Sequence, residues 1–157
     1  MKHVDIEKLI DIDYATDERV ARRKGSGGTQ EFYTPYSIVK KMCDKIPSEM
    51  WKDSTKTFLE PCCGNGNFCL AIVYKRLMNG VSWKDALSTL YAVELMEDNV
   101  KECKERILNL FELLNIEDFN INIAKQILDR NIVCSDFFKW DFENWRPIPQ
   151  AKVEELF

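Results

Sequence analysis

Phe58-Leu59-Glu60-Pro61-Cys62-Cys63-Gly64-Asn65-Gly66-Asn67-Phe68 decides the fold, because it joins a short apolar run, two glycines and the start of an apolar helical pattern end to end. The order predicts a strand over 57–60 that turns sharply into a helix over 67–78, with Gly80 as the stop signal. Downstream, Ser82 with Asp85 three residues on resembles a capping box. Leu90 to Glu94 reads as a second strand. Met96, Val100, Cys103, Ile107, Phe111 and Leu114 then recur at three- and four-residue steps, the pattern of a long amphipathic helix. A shorter helix over 123–130 leads into a third strand at Ile132 to Cys134. Upstream, Thr34 is placed to cap a helix with Pro35 at its first position, and Ile38, Val39, Met42, Cys43 and Ile46 mark one apolar face before Pro47. Short apolar strands alternating with helices predict an α/β layer fold.

A chain of 157 residues with 45% apolar side chains bounds this to one core-forming domain. Residues 32–157 are expected to form it, and 1–31 an N-terminal arm ending in the linker Gly25-Ser26-Gly27-Gly28. Val4, Ile6, Leu9 and Ile10 line a short helix in that arm. Its basic cluster, Arg19, Arg22, Arg23 and Lys24, reads either as a phosphate contact or as a solvated helix end. With 26 acidic against 22 basic residues the net charge is −4, which excludes strong nonspecific coating of nucleic acid. Asp5 interrupts any leader-like run and the uncharged apolar stretch 68–74 is too short to span a bilayer, so no membrane contact and a cytoplasmic location are expected. The cysteines at 43, 62, 63, 69, 103 and 134 include no C-x-x-C pair, and His3 is the one histidine. Zinc needs four convergent ligands, so the expectation is buried reduced thiols and no metal.

The glycine turn is a small-molecule cradle, since glycines let backbone approach a ligand and the N–H groups at a helix start favour an anion. A dinucleotide fingerprint wants a small residue where this chain has Cys69. Glu60 also disfavours a diphosphate and suits an ammonium group, which sets a dehydrogenase-type domain aside. Glu94 ends the second strand, where a carboxylate accepts from both hydroxyls of a ribose. Asp136 and Phe137 follow the third, one to accept from an exocyclic amine and one to pack on an adenine face. Acids at three strand ends, with glycines at the first, describe a site for S-adenosylmethionine.

Phe32-Tyr33-Thr34-Pro35, the Leu59-to-Phe68 string, Ala92-Val93-Glu94 and Cys134-Ser135-Asp136-Phe137-Phe138 together resemble the N-terminal half of adenine-N6 DNA methyltransferases of the Y-T-P type. The resemblance covers 32–138. It implies a Rossmann-like, S-adenosylmethionine-dependent methyltransferase fold, here a truncated parallel sheet flanked by helices. By it, Tyr33, Thr34 and Pro35 close over the methionine end of the cofactor, Glu60, Pro61, Gly64, Gly66, Glu94, Asp136 and Phe137 hold the rest, and Phe68 packs near cofactor and target base. Such enzymes also carry an N-P-P-Y or D-P-P-Y motif after a fourth strand, which holds the flipped adenine. The 21 residues after Asp136 contain no adjacent prolines. Asn144, in Asn144-Trp145-Arg146-Pro147, is the weak catalytic candidate, against a surface tail whose Trp140, Trp145 and Pro147 pack on the domain.

The resemblance therefore implies either a cofactor-binding subunit that is active with a partner, or a non-catalytic module that pairs with an enzyme or sequesters cofactor, in a host or in a virus or mobile element. The strand carrying the glycine turn becomes an edge without the fourth strand, and edges are covered or paired. The tail from Lys152 to Phe157, a second copy or a separate protein is expected there. DNA would be reached through a partner or through the basic cluster at 19–24.

Overall fold

The computed structural model describes residues 2–12 and 33–149. The basic cluster at 19–24, the glycine linker, Phe32 and the tail at 152–157 lie outside the described residues. The elements run α1 (Ile6–Ile10), α2 (Tyr36–Cys43), α3 (Ser48–Lys52), β1 (Phe58–Glu60), α4 (Asn67–Met78), α5 (Trp83–Ser88), β2 (Leu90–Glu94), α6 (Glu97–Leu114), α7 (Ile121–Asn131), β3 (Ile132–Cys134), a 3-10 turn at Phe137–Lys139, and the two-residue strands β4 (Trp140–Asp141) and β5 (Arg146–Pro147). No helix among the described residues is long and apolar enough to cross a membrane.

β1, β2 and β3 form a parallel sheet in that order. Leu59 pairs with Tyr91, and Val93 with Val133. Helices make both crossovers, as parallel strands require. Because side chains alternate, Phe58, Leu90, Ala92 and Ile132 face the helices and join the main core. Val93 and Trp140 are buried outside that cluster, on the opposite face, which the antiparallel β4–β5 hairpin covers. There Trp145 meets Tyr91 edge to face at 4.8 Å and donates its indole N–H to the Arg130 carbonyl at 2.8 Å. Trp140 and Trp145 thus pack on the domain, while Pro147 is exposed. Among the described residues β1 pairs only with β2, so the strand that feeds the glycine turn is an edge.

Local chemistry accounts for the element ends. Ser82 Oγ accepts from the Asp85 N–H and caps α5. Asn120 accepts from the N–H groups of Asn122 and Ile123 at the start of α7, and Asn115 takes a left-handed conformation to end α6. The α2 cap differs from the sequence expectation. Pro35 is the N-cap residue, and Asp11 Oδ1 accepts the Tyr36 N–H at 2.7 Å, so a distant carboxylate replaces the Thr34 hydroxyl. The five apolar positions at 38–46 also split. Val39 and Cys43, four apart, face the core, while Ile38 and Met42 are exposed, because one neighbouring helix covers a narrower arc than the pattern spans.

The stretch read as an arm is, over 2–12, part of the core. Ile6 and Ile10 are buried, the Lys2 N–H donates to the Leu114 carbonyl at 2.7 Å, and the Tyr74 hydroxyl donates to the Val4 carbonyl. Arg106, buried on the apolar face of α6, fastens the segment. Its guanidinium donates to the Leu9 carbonyl at 2.7 Å, the Asn65 carbonyl at 2.8 Å and Asn67 Oδ1 at 2.7 Å. One buried cation thus ties α1, the glycine turn and the start of α4 to α6.

Candidate functional site

The three parallel strands end side by side, and their carboxyl ends open into a cleft of about 330 Å³. Crevices in this position are where open α/β sheets bind ligands. Tyr33, Pro61, Gly64, Glu94, Asp136 and Phe137, all expected from sequence, line it. Cys62, Leu95, Met96, Asn99, Ser135 and Phe138 join them. Of these, Leu95, Met96 and Ser135 are legible only as immediate neighbours of strand ends, and Asn99 had no local signal at all.

The Tyr33 ring lies over the glycine turn, where a Cβ on Gly64 would come within 3.7 Å of it. Its hydroxyl donates to Asn99 Oδ1 at 3.2 Å, which holds the ring against α6. Glu94 bridges two loops, accepting from the Gly64 N–H through Oε2 at 2.8 Å and from the Met96 N–H through Oε1 at 2.9 Å. A carboxylate offers about four acceptor positions, so both oxygens retain capacity toward a ligand. Asp136 caps the 3-10 turn by accepting from the Phe138 N–H and faces Lys139 Nζ at 3.7 Å. Phe137 and Phe138 are 38% and 65% exposed, flat apolar faces open to the cleft.

Not all the expected residues reach the cleft. Thr34 offers its carbonyl to Asn67 Nδ2 at 2.8 Å, Pro35 is exposed at the start of α2, Phe68 packs against the core, and Glu60, at the end of β1, is not among the cleft residues. Gly66 serves packing rather than ligand approach. At φ +93° it lets α4 begin against α6, where an added Cβ would stand 2.5 Å from Cys103 Sγ. The turn's amides are also largely engaged: Cys62 donates to Glu60, Cys63 to the Val93 carbonyl, Gly64 to Glu94 and Gly66 to the Cys63 carbonyl. The expected nest of open N–H groups at the turn is closed by these bonds. Asn144 sits in the β4–β5 turn, its amide donating to Asp141 Oδ2 at 2.8 Å, and is not among the cleft residues.

Charge in the site is acidic. Glu60 is half-buried at the end of β1, and burial pushes its carboxyl up, with the nearby Cys103 and Glu94 adding to the effect. A cationic group arriving beside it would reverse that cost. Cys62 is raised by partial burial and by the same acids.

Behind the turn lies an arrangement the sequence spacing concealed. Cys63, Cys69 and Cys103 are buried and their sulfurs lie within 4.8 Å of one another. Cys103 is held well below the ordinary thiol range by hydrogen bonds from the other two, and those two are correspondingly raised. The six cysteines are all free, and Cys62 and Cys134 are exposed rather than buried. A second hollow of about 260 Å³ between α2 and α4 is rimmed by Lys40, Asp44 and Lys75, whose ion pairs at 2.6 and 2.9 Å satisfy one another.

Comparison with known proteins finds no family model, no curated protein and no solved structure that matches this chain.

Proposed function

We propose that the chain binds S-adenosylmethionine in the strand-end cleft and is the cofactor-holding part of an adenine-N6 DNA methyltransferase. The observation that carries this reading is the gathering of Tyr33 over Gly64, Glu94, and Asp136 with Phe137 in one crevice outside three parallel strands. A parallel sheet with helical crossovers supports a Rossmann-like methyltransferase architecture. The donor set suits the cofactor. Glu94 accepts from ribose hydroxyls, Phe137 and Phe138 offer faces to adenine, and Glu60, one residue before Pro61 of the cleft lining, offers a carboxylate to an ammonium group. Bound there, the cofactor supplies an electrophilic methyl group.

Transfer also needs a site that presents the amine of a flipped adenine in line with that methyl group. The sequence carries no N-P-P-Y or D-P-P-Y string, and Asn144 is tied into its hairpin. A second polypeptide supplying that motif and the DNA-reading surface, docked along the β1 edge, completes the enzyme in this reading. The same observation favours a second reading, a non-catalytic module that pairs with an enzyme or sequesters cofactor.

Calorimetry with S-adenosylmethionine tests the shared claim. The unmutated chain binds, and Glu94→Ala weakens binding by about 10- to 100-fold, the loss of hydrogen bonds to a charged acceptor. Absence of binding by the unmutated chain overturns the cofactor assignment. Labelled methyl transfer to unmethylated DNA separates the two readings: activity on adding a partner with the catalytic motif supports the first, and persistent inactivity with intact binding supports the second.

A further inference from the structure

We infer that Cys63, Cys69 and Cys103 form a three-coordinate site for a soft monovalent metal ion of the copper(I) class. The donors come from three places that the fold brings together: the glycine turn, the first turn of α4 and the second turn of α6. They are 7%, 0% and 0% exposed. A planar three-sulfur site with metal–sulfur bonds of about 2.3 Å sets its sulfurs about 4 Å apart. Sulfurs already within 4.8 Å of one another reach that spacing by small side-chain rotations.

The donor set selects the ion. Thiolates favour copper(I), zinc and iron–sulfur clusters. Structural zinc takes four ligands and a cluster takes four cysteines. Among the described residues no fourth cysteine, histidine or carboxylate joins the group. Three buried sulfurs match an ion content with three-fold coordination.

Gly66 belongs to the site in a different sense. Its missing Cβ is the space in which Cys103 Sγ sits, so the turn backbone closes one side of the trio. Arg106, one helical turn beyond Cys103, places a buried positive charge beside the anionic complex. Entry is from the cleft, since Cys62 and Gly64, the neighbours of Cys63, both line it. Binding forms three copper–sulfur bonds. Each thiol still protonated loses its S–H bond and gives the proton to solvent, and no electron is transferred.

The test uses the full reduced chain under anaerobic conditions, with copper(I) delivered as its acetonitrile complex against the chromogenic chelator bicinchoninate. One copper per chain is expected, with three sulfur neighbours by X-ray absorption. The variant C43S/C62S/C134S keeps the trio and retains both results. Cys69→Ala and Cys103→Ser each weaken binding by more than about 100-fold, beyond what loss of a mere supporting residue does. Should those two variants fail to fold, the triple variant decides alone. The assignment is overturned if the unmutated chain takes no copper from the chelator, if the triple variant loses it, or if zinc(II) displaces copper and binds with a mixed sulfur and oxygen shell.

Discussion

Gly66 and Gly80 both have positive φ, yet they predict different costs on gaining a methyl group. At Gly80 nothing lies within 4 Å of the added Cβ, so Gly80→Ala carries backbone strain alone, about 1 kcal/mol. At Gly66 the same strain adds to a clash with Cys103, and Gly66→Ala should cost about 2–4 kcal/mol, read as the gap between the two urea midpoints at unchanged slope. Glu60 makes a prediction in pH. Its carboxyl ionises near 4.5 in the unfolded chain and higher in the folded one, because burial disfavours the charge. Between those values the folded state keeps a proton that the unfolded state has released, so stability falls as pH rises through the window and the full penalty persists above it. Glu60→Gln should therefore raise the denaturation midpoint at pH 7 and leave it unchanged below pH 4.5, and a midpoint that drops at pH 7 refutes this. The glycines and acids of the site were legible as residue types at strand ends. Their particular partners were not: Gly66 answers to Cys103 and the Gly64 amide to Glu94, across 37 and 30 positions that no local pattern connects.

Caps and helix ends separate real from apparent signals among the elements. Ser82→Ala removes an acceptor that the Asp85 N–H uses and should lower stability by about 1 kcal/mol. Thr34→Ala, at the position that looks like a cap in sequence, should change it by less than about 0.5 kcal/mol, since Asp11 holds the α2 start. Asn131, fully buried where α7 meets β3, donates to the carbonyls of Leu87 and Ser88 at the end of α5. Asn131→Ala removes both bonds, one of them buried, at about 1–3 kcal/mol. Thermal unfolding of the three variants, compared side by side, checks the ranking. The strands at 90–94 and 132–134 and the helix at 67–78 were readable because apolar period and punctuation agree there. The α2 face splits because periodicity reports which positions are apolar, not how wide a neighbour stands opposite.

Across the whole molecule, the sheet has one face on helices and the other under an aromatic hairpin. Trp145→Ala removes the contact to Tyr91 and the bond to Arg130 and should cost about 2 kcal/mol, since the side chain is half-buried. Intrinsic fluorescence should report the loosened hairpin through its neighbour Trp140, 5.4 Å away. The docking of residues 2–12 was invisible in sequence, because it depends on Arg106 and Leu114 about a hundred positions later. That docking has a consequence for how the protein is made. On a ribosome, Ile6 and Ile10 emerge some sixty residues before α4, the helix that α1 packs on, exists to receive them. At synthesis rates of about 5–20 residues per second their apolar faces wait on the order of ten seconds for a partner. The guanidinium of Arg106, about thirty residues later still, then bonds the Leu9 carbonyl and latches the docked segment to α6.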